Sequence, residues 1–349
     1  MFEQRDDITI LPGFVDLHVH FREPGFSVKE TVASGSRAAL RGGYAAVCAM
    51  PNLNPPPDTL EHLRIELDII ARSSRLPVFP VGCVTMGQRG EGVLSEMERL
   101  APHVCGFSDD GVGVNDGALM REAMERAKAC GKPILSHCED KSLGDGPESE
   151  WAPLARDLEL ARETGCRYHV CHVSTKESVE LIRRAKRDGA PVSAETAPHY
   201  LLLTAEDAQD DGRFRMNPPL RGEADRAALL AGLLDGTLDC VATDHAPHTR
   251  EEKSRGFRGS ACGIVGLETA FPVLYTRLVR TGIMPLEKLV DVMADAPRRL
   301  LESWTGRAIT GTYAWELDKR YTIDPETFES KGRSTPFAGW EVYGALYYA

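Results

Sequence analysis

The chain has 349 residues, 42% of them hydrophobic and 27% charged, with a net charge of −11. This is the composition of a folded globular enzyme. It excludes a membrane-spanning helix, because no window holds about eighteen consecutive apolar residues, and it disfavours nucleic acid, whose phosphates the acidic field repels.

The nine cysteines are scattered and never form a CxxC pair, so buried thiols in a reducing cytoplasm are expected rather than a disulfide framework. The stretch from Met1 to Asp7 lacks the basic-then-apolar pattern of a secretion signal.

Short β-branched runs alternate with helix-period stretches along most of the chain. Strand-like Phe14–His20 is followed by a helical pattern over Val28–Arg41 that ends at Gly42-Gly43. Strand-like Tyr44–Met50 precedes the helical Thr59–Ser73, which starts behind Pro57-Asp58. Strands are then expected at Val78–Val84 and Val104–Ser108, with a helix over Gly117–Cys130. The last four strands, Pro133–Cys138, Arg167–Val173, Pro191–Ala197 and Asp239–Thr243, are separated by helices over Trp151–Thr164, Lys176–Asp188 and Glu223–Leu234. Eight strands alternating with helices predict an α/β fold, a parallel (β/α)8 barrel of the TIM type, over residues 11–303. An open doubly wound sheet is the alternative, and no glycine-rich nucleotide loop follows the first strand to support it. Residues 306–349 are rich in aromatics and glycine and lack helical period, which predicts a small β appendage.

In such a barrel, reactive groups sit where the strands end. His18 and His20 share one side of the first strand, since side chains two apart point the same way. Asp109-Asp110-Gly111 follows the fourth strand, His137 lies at the end of the fifth, the sixth carries His169 and His172, and Asp244, His245 and His248 follow the eighth. Each has an ordinary reading: a turn for Asp109-Asp110, a core histidine for His137, a helix cap for Asp244. Their gathering at five strand ends favours a metal centre. Two histidines of the first strand and the carboxylate of the eighth would hold one ion, the histidines of the fifth and sixth a second, and a carboxylate and a hydroxide would bridge them.

The stretches Pro12–Gly25, Met50–Asn52, Asp109–Gly111, His169–Lys176, Met216–Arg221 and Ala242–Thr249 resemble the dihydroorotases, of the bacterial class I type within the amidohydrolase superfamily. The resemblance runs from about residue 10 to 302 and resumes at Lys331–Trp340. It implies a zinc-dependent cyclic amidohydrolase that interconverts N-carbamoyl-L-aspartate and dihydroorotate in pyrimidine synthesis through a metal-bridging hydroxide. His18, His20, His137, His172 and Asp244 match metal ligands, Asp110 the bridging carboxylate, and Asp244 also the general base and acid. His169 is expected to support the site rather than ligate. Arg22, Asn52 and His248 resemble the groups that hold the substrate carboxylate, Asn217 a contact to the ring, and Cys262-Gly263 a backbone-contact segment. Relatives with a carboxylated lysine carry it on the fourth strand; here that strand has none, so no modified lysine is expected.

Against the family pattern, the segment before the first strand, the stretch Asp140–Trp151 and the tail after Gly306 are all short. Residues 1–10 and 304–349 would then form the remnant of a β-sandwich. Two other functions fit parts of the resemblance. One is a non-catalytic partner of aspartate transcarbamoylase, against which the complete ligand set argues. The other is hydrolysis of another cyclic amide such as a hydantoin or allantoin, against which Arg22 argues. The resemblance also implies a homo-oligomer and a possible complex with aspartate transcarbamoylase.

Overall fold

The structure, a computed structural model, describes residues 7–347; residues 1–6 and 348–349 of the expected appendage lie outside them. Strand β1 (Ile8–Pro12) leads into β2 (Phe14–Val19), the first stave of the barrel. Staves β3 (Tyr44–Ala49) and β4 (Val78–Pro80) pair with it in parallel, in the order β2-β3-β4. A second parallel sheet runs β5 (Ile134–Ser136), β6 (Tyr168–Val170), β7 (Val192–Thr196), β8 (Cys240–Val241).

Single bridges join the two sheets into a ring. Phe107 bridges Gly82 on one side and Ile134 on the other, and Val19 bridges His245. The expected fourth strand, Val104–Ser108, is thus an extended segment held by bridges and not a regular strand. It still exchanges main-chain bonds with both neighbours, from Ser108 N to Gly82 O (2.8 Å) and from Leu135 N to Phe107 O (2.8 Å). Pro80 and Pro133 flank it, and neither offers an N–H to complete a ladder.

The helices begin where short polar side chains satisfy the free N–H groups. Thr31 caps Val32–Arg41, Thr59 caps Leu60–Ser73 and Thr175 caps Lys176–Arg187. The first helix therefore starts at Val32, later than the periodicity of Val28–Arg41 suggests. Two helical stretches beyond the eighth stave have no counterpart in the sequence reading: 270–279, and 286–305, which ends in the helix Ala296–Thr305. Of the prolines that ordinarily argue against helix, Pro272 sits near the start of its stretch, and Pro297 stands inside the second, directly after the π-helical turn Asp291–Asp295.

The barrel interior is filled from alternate positions of the staves: Val15, Leu17, Ala46, Cys48, Phe79, Val81, Cys105, Leu135 and Cys240. Stave β7 supplies the polar Glu195 instead. Trp304, Leu301 and Ile309 belong to the same cluster, and Lys132 Nζ, just ahead of β5, donates to Trp304 O (3.0 Å). The helix Ala296–Thr305 therefore plugs the end of the barrel where the staves begin.

The remaining sheet is antiparallel, in the order β1-β9-β10, with β9 (Thr312–Thr322) and β10 (Glu341–Leu346). An aromatic cluster fastens it to the barrel. Trp315 of β9 lies 4.3 Å, centroid to centroid, from Phe271 and 5.7 Å from Phe14. Gly43 makes room for the indole, since a Cβ there would come within 2.5 Å of it. Trp315→Ala should cost about 3–5 kcal/mol of stability, measured by denaturant unfolding; a loss below 1 kcal/mol would mean the sheet is not anchored there.

Candidate active site

Parallel closure brings the stave ends to one rim, and the residues singled out by the sequence meet there. His18 lies on β2 and His20 just beyond it; Asp110 follows the bridged fourth stave; His137, His172 and Asp244 follow β5, β6 and β8. All six are buried. Strict alternation from Leu17, which faces the interior, would turn His18 outward. The β2–β3 register shifts between Asp16 and Val19 and removes that conflict.

The ligand-type atoms converge. His18 Nε2 is 3.2 Å from Asp110 Oδ1 and 3.6 Å from Asp244 Oδ1. His20 Nε2 is 3.0 Å from Asp244 Oδ1, His172 Nε2 is 3.6 Å from Asp110 Oδ1, and His137 Nδ1 is 3.0 Å from His172 Nε2. In two groups, His18–His20–Asp244 and His18–Asp110–His172, the ligand atoms all lie within 4.8 Å of one another. Both ring nitrogens of His18 and Oδ1 of Asp110 are buried without a hydrogen-bond partner. Buried polar atoms are rarely left so. Imidazole nitrogens and carboxylate oxygens at this spacing are the donor set of a divalent transition-metal site, and the residues fit such an ion.

Neighbouring groups aim these side chains. Asp109 accepts from Val84 N (2.8 Å), Thr85 N (3.1 Å) and Gly90 N (3.1 Å), which ties up one aspartate of the pair and leaves Asp110 to the site. Asp16 accepts from Thr243 Oγ1 (2.6 Å) and from the backbone of Thr243 and His18, and burial pushes its carboxyl up to about 7. Among the described residues, four that are not glycine have positive φ: Arg22, Gln88, His172 and Asp244. Three belong to the site, and the fourth, Gln88, donates to Asp110 O (2.6 Å). Such backbone costs about 1–3 kcal/mol per residue and is found where side chains must be aimed.

The electrostatics are those of facing opposite charges. Burial alone would raise the Asp110 and Asp244 carboxyls. The histidines around them more than reverse this and hold both well below the usual carboxylate range.

A cavity of about 460 Å³ opens above this cluster. Every expected metal ligand and substrate contact lines it except His18, which lies beneath; Asp109, His169 and His245 are not in its wall. Asn52 Oδ1 is 2.8 Å from His20 Nδ1. The buried Arg22 donates to Pro247 O (3.3 Å) and faces His248 Nε2 (3.4 Å). Burial, then the cations of Arg22 and Lys29, bring His248 down to about 3, so the imidazole is neutral. Its Nε2 is also 2.8 Å from Cys262 O. Asn217 Nδ2 donates to Glu139 Oε1 (3.2 Å).

His169 does not enter the cluster. Its Nε2 meets Glu195 Oε2 (3.1 Å), and Glu195 Oε1 meets His18 Nδ1 (3.3 Å). Glu195 is fully buried. Burial would raise its carboxyl, but His169 and His18 bring it down to about 2. Sequence reading missed Glu195 and also Glu139, whose Oε2 lies 3.0 Å from His137 Nε2. Both carboxylates approach the side of a histidine turned away from the cluster. The spacing of Glu139 two residues after His137 was the available signal; Glu195 had none beyond its place on an interior strand.

A closed β/α barrel with paired histidines on its first stave and an aspartate after its eighth defines a metal-site hydrolase of the amidohydrolase kind. A family profile described as Dihydro-orotase-like matches residues 8–156. The dihydroorotase of Bacillus caldolyticus is 46% identical, with 96% of this chain and 84% of that protein covered. That of Staphylococcus epidermidis is 47% identical at the same coverage. Among solved structures, L-hydantoinase from Arthrobacter aurescens superposes with a TM-score of 0.86 at 26% identity, covering 97% of this chain and 82% of that one. The chain belongs to the dihydroorotase family and is a cyclic amidohydrolase.

Glu195→Gln should lower the affinity of the site for a divalent cation about 10–100-fold, measured by chelator competition, because His18, an expected ligand, loses the carboxylate beside its Nδ1. Unchanged affinity would leave Glu195 with a packing role only.

Proposed function

We propose that this chain interconverts N-carbamoyl-L-aspartate and dihydroorotate, the ring-forming step of pyrimidine synthesis. The observation that carries this reading is the buried Arg22 guanidinium in the same cavity as the histidine–aspartate cluster. A cyclic amide with its own carboxylate needs both: a cation to hold the acid and a hydrolytic centre for the amide. The names of the relatives support the same substrate.

The ions would be zinc, held by His18, His20 and Asp244 on one side and by His137 and His172 on the other, with Asp110 between them and no carboxylated lysine. Bound divalent ions supply Lewis acidity toward the amide carbonyl and make a water acidic enough to attack at neutral pH. Asp244, kept ionised by the histidines around it, takes the proton of the attacking water and delivers it to the departing ring nitrogen. Arg22, with the neutral His248 and Asn52, holds the substrate carboxylate. Asn217 and the Cys262-Gly263 backbone meet the ring. Gly263 N already donates to Arg215 O (3.0 Å), so the contact from that segment falls to Cys262.

The division into a barrel over 11–303 and an appendage from 1–10 and 304–349 is likewise our reading, as are a cytoplasmic location, a homo-oligomer and association with aspartate transcarbamoylase. No helix among the described residues is long and apolar enough to cross a membrane.

The purified chain with added zinc should hydrolyse dihydroorotate, and Asp244→Ala should lose at least about 10²–10⁴-fold in kcat. No turnover by folded, metal-loaded protein would overturn the proposal. Arg22→Met should raise KM for dihydroorotate by about 10–100-fold and leave uncharged hydantoins unaffected. Hydantoin turnover exceeding that of dihydroorotate in the unaltered chain would move the assignment to a hydantoinase.

A further inference from the structure

Behind the cleft wall lies a lysine that neither the cluster nor the substrate contacts account for. Lys253 is 8% exposed, and among the described residues no carboxylate lies within 4.0 Å of its ammonium. A buried cation without a counter-charge is costly unless its donors are met. Here all three are. Nζ donates to Arg215 O (3.0 Å), Ala261 O (2.7 Å) and Gly263 O (2.7 Å). An ammonium has three donors and no acceptor, so this is full satisfaction. Burial lowers its pKa to about 8, and it still carries its charge at neutral pH.

The three carbonyls belong to the two chain segments that wall the cleft. Arg215 leads to Asn217, and Ala261 and Gly263 flank Cys262. The lysine itself lies five residues beyond His248, in a turn capped by Thr249. The rest of the Ala261–Gly263 backbone is also engaged. Ala261 N donates to Glu252 O (3.0 Å), Gly263 N to Arg215 O (3.0 Å), and Cys262 O faces His248 Nε2 (2.8 Å). Among the described residues this leaves the Cys262 N–H as the one backbone group of the segment without a partner. Gly263 itself has φ +134°, and a Cβ there would meet Ala246 O at 2.5 Å, so the segment is pressed against the end of the eighth stave.

We propose that Lys253 is a positioning residue for substrate: its ammonium clasps both sides of Cys262 and holds that N–H toward the ligand. The role rests on the dihydroorotase reading above. The clasp touches neither the reacting atoms nor any group of the histidine–aspartate cluster, so it acts on binding and leaves the chemical step alone.

Lys253→Met keeps the stem and removes the three donors. With zinc-loaded enzyme and dihydroorotate, KM should rise about tenfold or more, kcat should stay within about threefold, and bound zinc should be unchanged. An unchanged KM, or a fall in kcat and bound zinc with KM constant, overturns the proposal. Should the variant fail to fold, the unaltered holoenzyme decides. Reductive methylation of Lys253, followed by mass spectrometry, should be slower than that of exposed Lys141 and slower again with saturating dihydroorotate. A rate equal to that of Lys141, or one insensitive to dihydroorotate, overturns it. Absence of turnover by the unaltered chain is a separate outcome and would overturn the functional reading itself.

Discussion

A single buried carboxylate spans the seam at which the barrel closes. Asp16, on the first stave, receives the hydroxyl and N–H of Thr243 at the end of the eighth. The first and last staves are the most distant in sequence, so this contact carries a large loop-closure entropy that the interior packing must offset. It also sets the spacing of the two histidines that follow Asp16 against the aspartate that follows Thr243. The bond joins the first stave to the residue two beyond the end of β8, directly before Asp244, so the ring and the cluster are built by the same constraint. A site supported in this way tolerates little movement of its parts.

Two layers of charge stand behind that seam. In the inner layer, four histidines surround two aspartates, and both carboxyls stay ionised there despite burial. In the outer layer, Glu195, Glu139 and Asn52 each approach the far nitrogen of a histidine. In His137 and His20 that nitrogen is hydrogen-bonded, which fixes the protonation state of the other and decides whether it can donate a lone pair, whereas Glu195 stands beside His18 Nδ1 as a charged neighbour. The barrel interior is therefore not uniformly apolar. A polar column of His169, Glu195 and His18 runs through it from the plug at Trp304 to the rim.

The legible part of this arrangement was the part governed by periodicity. Strand-like runs alternating with helical ones placed eight staves in order, and the stave ends then picked out the histidines and aspartates as a group. What periodicity does not encode was missed. The fourth stave is too interrupted by flanking prolines to form a ladder, although its residues were correctly read as extended. The helical stretches after the eighth stave contain Pro272 and Pro297, which count against helix in a periodicity reading. Glu195 and Lys253 look like ordinary charged residues in the sequence; only the fold reveals that each is buried and what surrounds it. The choice between Asp109 and Asp110 followed from resemblance and has a physical cause in the structure, since Asp109 is consumed by backbone donors.

The cysteines divide in a way that bears on how the protein can be handled chemically. Burial pushes the Cys138 thiol up to about 12 and Cys166 up to about 11, and a thiol so raised is a poor nucleophile. Cys262 is the exposed cysteine among the described residues, and it stands on the wall of the cleft. A mild alkylating dye therefore marks Cys262 ahead of the half-buried Cys130, whose thiol burial pushes up, and does so within reach of whatever occupies the cavity. The native chain carries its own attachment point for an optical reporter, with no engineered thiol required.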